Sequence, residues 1–111
     1  MLVAGTTLFA QANAIQGGVD GKTVNAGSTI TRTGATCYTR CPGVSVYVSG
    51  TYGYVNTETL ATGTSSNSSG NAGDATIAFT APANCISVNV SANHSASYGT
   101  QTWTGSTSAN R

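Results

Sequence analysis

Apolar and polar residues alternate along much of the chain with a period of two, the spacing that puts successive side chains on opposite faces of a β-strand. STITRT, residues 28–33, sets Ser28, Ile30 and Arg32 against Thr29, Thr31 and Thr33. GVSVYVSG, residues 43–50, sets Val44, Val46 and Val48 against Ser45, Tyr47 and Ser49. In TYGYVNTETLATG, residues 51–63, Tyr52, Tyr54, Thr57 and Thr59 suit a pleated surface. Residues 74–81 place Ala75, Ile77, Phe79 and Ala81 on one face before Pro82 stops the strand. Residues 85–92 oppose Ile86, Val88, Val90 and Ala92 to Ser87, Asn89 and Ser91, with Asn93 continuing the polar face. Residues 97–105 carry Thr100, Thr102 and Thr104 opposite Gln101 and Trp103. A helical period is found nowhere. About seven short strands spaced roughly ten residues apart predict an all-β chain, a single antiparallel sandwich with one face of each sheet buried.

Between these runs lie turn signals at Gln16-Gly17-Gly18, Asp20-Gly21 and Asn25-Ala26-Gly27. TGTSSNSSGNAG, residues 62–73, has nothing to bury and reads as a polar loop, mobile or glycosylated. The start of the chain admits two readings. Residues 2–10 are mostly apolar and Ala12-Asn13-Ala14 has the small-x-small form of a signal-peptidase site, although no positive charge precedes Lys22. The rival is an extended strand. Residues 1–14 are therefore set apart from a sandwich domain over residues 15–111. No apolar run approaches the ~18 residues of a membrane-spanning helix, so no membrane span is expected.

Composition narrows the functional classes. Nearly three residues in ten are Ser or Thr, and only 6% are charged. The formal net charge is +1, so no basic stripe exists to displace the counterions of nucleic acid, and no polybasic segment meets an anionic membrane. Asp20, Glu58, Asp74, Lys22, Arg32, Arg40, Arg111 and His94 are nearly the whole titratable inventory, too sparse for most catalytic arrangements. The one His has no Gly-x-Ser-x-Gly elbow to serve, and the three carboxylates sit in turns or on strand surfaces, so the chain is expected to be no enzyme.

Cys37, Cys41 and Cys85 make an odd set. An uncharged, hydroxyl-rich strand protein suits an exported setting, where disulfides persist. Cys85 is expected to pair with one of the other two, Cys41 for preference, because in a sandwich the strands opening at Val44 and Cys85 start at the same end. Cys37 is then left free or available to another chain. With His94 these thiols have the ligand types of a zinc site but not the usual two close pairs, and Asp20 and Asp74 beside Gly lack the second carboxylate of a calcium loop. No metal or cofactor is expected. An isopeptide crosslink would have Lys22 alone to draw on.

The stretch GNAGDATIAFTAPANCISVNVSA, residues 70–92, resembles the later half of bacterial immunoglobulin-like surface domains, in which a polar loop precedes an ATIAFTAP-type strand and a second alternating strand follows. The resemblance covers about half the chain. It implies an immunoglobulin-like sandwich with an adhesive or structural role at the cell surface or outside the cell, without the buried tryptophan of antibody domains, since Trp103 lies near the C-terminus.

Two roles follow as expectations. Val3, Leu8 and Phe9 of the N-terminal segment form an apolar strand that one subunit could donate to the sheet of the next, giving a homopolymer or filament that Cys37 could seal. Alternatively, Tyr47, Tyr52, Tyr54, Tyr98 and Trp103 form a platform on which sugar rings stack, in a monomeric glycan-binding or adhesion module. Asn67, Asn89 and Asn93 stand in N-x-Ser/Thr sequons, at about the number chance supplies in a chain so rich in Ser and Thr. The Thr rows at 29, 31, 33 and at 100, 102, 104 are too short for an ice-binding array and fit ordinary strand propensity.

Overall fold

The computed structural model describes residues 11–111. Among these, six antiparallel strands and no helix are found: β1 (Ala12–Val19), β2 (Lys22–Thr31), β3 (Gly34–Asn56), β4 (Thr62–Thr80), β5 (Cys85–Tyr98) and β6 (Gln101–Asn110). They hydrogen-bond in the order β1-β2-β3-β5-β6, with β4 on β3, and β6 returns to β1, so the sheet is nearly closed into a barrel. Val3, Leu8 and Phe9 lie outside the described residues.

The strand count differs from the expected seven or so for two reasons. The segments starting at Val44 and Tyr52 are one strand, because the backbone ladder to β4 runs from Ser45 through Gly50 and Gly53 to Val55 without a break. The expected polar loop over residues 62–73 is the first half of β4, paired with β3 from Ser45 to Val55. Its sequence shows no apolar face because it lies at the sheet edge and buries neither side. Ala12 to Ala14, grouped with the N-terminal segment by sequence, belong to β1 and pair with Thr29, Ser28 and Gly27.

The β1–β2 connection is the two-residue turn Asp20-Gly21, both residues with positive φ (49° and 74°), the mirror-image geometry that matches strand twist. The β3–β4 hairpin is different in kind. Between Arg40 and Ser45 its register breaks at Pro42 and Gly43 (φ 79°), opposite Gly73 (φ 85°), and the long ribbon folds over on itself. Odd residues point inward before the break and even residues after it, from Cys37, Thr39 and Cys41 to Val44, Val46 and Val48. The fold brings Ile77 and Phe79 of one half against Gly50 and Tyr52 of the other.

The core lies between these two halves and under β2, β5 and β6, built from Val24, Ile30, Val46, Val48, Tyr52, Ile77, Phe79 and Val90. The alternation read at residues 44–48 and 75–79 is the alternation of inward positions. On β5 it is interrupted. Asn89 pairs with Gly53 and Ser87 with Tyr54, so Val88 is an unpaired bulge residue, turned out and 37% exposed, while Ser87 turns in.

Candidate functional site

Two regions concentrate polar chemistry: a chain of buried side chains inside the barrel, and a groove on the outer face of β4, β3, β5 and β6.

The buried chain starts at Cys37 on β3, whose Sγ lies 3.3 Å from Ser28 Oγ on β2. Ser28 Oγ meets Thr107 Oγ1 on β6, and Thr107 Oγ1 lies 2.7 Å from His94 Nε2 on β5. His94 Nδ1 lies 2.9 Å from Thr39 Oγ1, which donates to the Tyr47 carbonyl at 3.0 Å. All five side chains are buried, and among the described residues no buried side-chain nitrogen or oxygen lacks a partner.

Proton counting orders this chain. A carbonyl only accepts, so the Thr39 hydroxyl proton is committed to Tyr47, and Thr39 Oγ1 accepts from Nδ1–H of His94. A neutral imidazole then has its lone pair on Nε2 and accepts from Thr107, which accepts from Ser28, leaving the Cys37 thiol to donate to Ser28. The opposite order, with Ser28 donating to Cys37 Sγ, requires His94 to carry both protons. Burial selects the neutral order. It lowers the His94 pKa from its ordinary value, opposed by a backbone hydrogen bond at Tyr38, and raises that of the Cys37 thiol, opposed by Ser28, whose hydroxyl donates to the sulfur when it ionises.

A hydroxyl beside an imidazole is the chemistry of an activated nucleophile, but these groups face the sealed interior and β-strands β2, β3, β5 and β6 meet around them. What the arrangement does is tie four strands together through directed hydrogen bonds.

The three thiols are free. The expected Cys41–Cys85 bridge is not formed: Cys41 adjoins the fold of the hairpin, whereas Cys85 pairs with Asn56 eleven residues beyond Ser45, so the two sulfurs stand at opposite ends of the second half of β3. The reading that put the two strand starts at one end fails because β5 runs antiparallel to that half of β3. Among the described residues no three His, Cys, Asp or Glu side chains converge as metal ligands.

The five aromatic residues expected on one platform separate. Tyr52 is fully buried, stacked on Phe79 at 5.3 Å between ring centroids and bonded through its hydroxyl to Ser87. Tyr54 faces inward beside it and covers Gly63, its partner on β4. Trp103 also faces inward, at the seam between β1 and β6. There it lies over Gly17 while Ile15 lies over Gly105, two large residues each set against a glycine of the opposite strand. Tyr98 is exposed at the far end of β5, with Lys22 Nζ 4.6 Å from its ring centre. Tyr47 alone of the five stands on the outer face, 45% exposed and lying over Gly70.

Around Tyr47 the register builds cross-strand rows of small polar side chains. Ser68, Ser49, Asn93 and Ser106 form one row across β4, β3, β5 and β6, and Ser66, Thr51, Ser91 and Ser108 form the next. The β4, β3 and β5 members of these rows line a shallow, open groove of about 530 Å³ that contains no charged residue. Two smaller hollows continue it past Asn93 toward β6 and Asn13. The three sequon asparagines, Asn67, Asn89 and Asn93, are all exposed, Asn93 within the groove.

Sequence reasoning missed the buried polar chain and the groove. A signal for the first was present: Thr39 falls between Cys37 and Cys41, His94 between Ala92 and Ala96, and Ser28 two before Ile30, each on an inward face at period two. The groove depends on cross-strand register, which no single segment carries.

Compared with models of known protein families and with curated protein sequences, the chain matches none. No helix among the described residues is long and apolar enough to cross a membrane.

Proposed function

We propose that the chain is a non-enzymatic structural subunit of an extracellular filament or layer, an immunoglobulin-like module joined to its copies by strand addition. The observation that carries this reading is the free edge of β4. Among the described residues β4 pairs with β3 alone, and residues 62–73 present that open edge with no charge and no proline. Sheet edges in proteins that stay monomeric are blunted by charges, proline or covering segments, and an edge without them is a template for another strand. The apolar residues Val3, Leu8 and Phe9 supply a donor, and a head-to-tail contact of this kind propagates rather than closes. A chain with only 6% charged residues suits a subunit packed against its copies.

Light scattering on the full chain tests the proposal. Large assemblies are expected from the intact protein, and monomers from a chain lacking residues 1–10, which retains β1 whole. Thr64→Lys with Asn71→Lys, which charges the β4 edge, is expected to stop assembly too. A monomeric intact chain, or assembly that survives both changes, overturns the proposal.

A further inference from the structure

The groove beside Tyr47 serves no purpose in strand addition, which uses the backbone edge of β4 rather than the outer face of the sheet. Its chemistry is specific in what it omits. The walls offer hydroxyls and the two amides of Asn67 and Asn93, all both donors and acceptors, and no fixed charge. Among the described residues the side chains of Ser49, Thr51, Ser68, Ser91 and Asn93 make no hydrogen bond to the protein, so their polar groups are turned to whatever enters. Adjacent members of a row stand about 4.8 Å apart and successive rows about 7 Å apart, a two-dimensional grid of partners.

Tyr47 adds an apolar surface to that grid. A Cβ on Gly70 would come within 3.3 Å of Tyr47 Cδ1, so the ring lies down over the glycine of the neighbouring strand, with one face held against the sheet and the other open. An aromatic face beside rows of neutral donors and acceptors matches a ligand with one apolar face of C–H groups and a rim of hydroxyls.

We propose that this groove binds an uncharged carbohydrate chain, with a sugar ring stacked on Tyr47 and adjacent hydroxyls hydrogen-bonded to Asn93, Ser49 and Ser91. Several sugar units fit in 530 Å³, and the hollows beyond Asn93 extend the track across β6. The assignment is independent of assembly.

The test is titration of the isotope-labelled full chain, at a concentration where its spectrum is that of a monomer or using the β4-edge variant, with neutral hexasaccharides of glucose and of mannose in both α and β linkages. Backbone and side-chain amide shifts are expected at Tyr47, Ser49, Ser91 and Asn93 with at least one of these sugars. Tyr47→Ala and Asn93→Ala are each expected to weaken binding about tenfold or more. Gly70→Val, which pushes the ring off the sheet without removing it, weakens binding as well, and Tyr98→Ala leaves it unchanged. No shift with any of the sugars at 10 mM overturns the proposal, as do shifts that map elsewhere, or variants that bind like the parent. Concentration-dependent shifts of the same residues without sugar also overturn it, since the face then meets a second copy of the chain.

Discussion

Tyr52 and Phe79 stack with their ring planes 13° apart, although Tyr52 lies in the second half of β3 and Phe79 at the end of β4, on opposite halves of one hairpin. The contact exists because the ribbon folds at Pro42, Gly43 and Gly73, and it anchors the two halves to each other. Phe79→Ala removes a ring that is 8% exposed and is expected to cost about 3–5 kcal/mol of stability, read as a lower urea midpoint with an unchanged slope. Phe79→Leu retains most of the volume and should cost clearly less.

The buried chain through His94 gives the protein a defined pH window. His94 is harder to protonate in the folded chain than in the unfolded one, so the unfolded state takes up the extra proton and stability falls as pH drops below about 6.5. Cys37 is harder to deprotonate when folded, so stability falls again as pH rises above about 8.5. Urea midpoints measured from pH 5 to pH 9.5 should show a plateau between these limits. His94→Gln should flatten the acid limb while lowering the plateau by about 1–3 kcal/mol, since Thr39 and Thr107 lose fitted partners. An acid limb of equal depth in that variant would mean another group controls it.

Thiol chemistry should follow burial. In the native protein Cys85 is expected to react with a small disulfide reagent well before Cys37 and Cys41, which become available on unfolding. Denatured without reductant, the chain should take up three alkyl groups by mass spectrometry. An uptake of one would show a native bridge and contradict the separation of Cys41 from Cys85.

The sole tryptophan reports on the seam. A side chain at position 17 would overlap the Trp103 indole, so Gly17→Val is expected to expel it, red-shifting its fluorescence and lowering stability by about 1–3 kcal/mol. Emission unchanged from the parent would show that β1 and β6 do not meet as described.

The inward faces of β3 and β4 are legible in the sequence because Val44, Val46 and Val48, and Ala75, Ile77 and Phe79, are buried on one side and wet on the other, which is what enforces a period of two. The first half of β4 is invisible by the same logic, since backbone pairing to β3 holds it and no side chain there needs a buried face. Val88 illustrates a further limit. Its place in the alternation of residues 85–92 is sound locally, but the bulge opposite Gly53 and Tyr54 turns it outward. The roles of Tyr47, Tyr54 and Trp103 turn on which glycine stands across from each, and partners far apart in sequence are set by register and closure.

The seam itself has a consequence for how the molecule breathes. Asn13 accepts from the Ser108 amide, Gln101 accepts from the Asp20 amide, and Trp103 and Ile15 interlock with glycines, but no backbone ladder joins β1 to β6. Parting these strands breaks a few side-chain contacts, whereas parting β3 from β4 breaks a backbone ladder that runs almost the whole length of both strands. The lowest-energy opening of the barrel is therefore along one line, at the two ends of the described chain. Thr107, on the inward face of β6, bonds to Ser28 and His94, so proton exchange from the interior polar chain is expected to follow the opening of this seam.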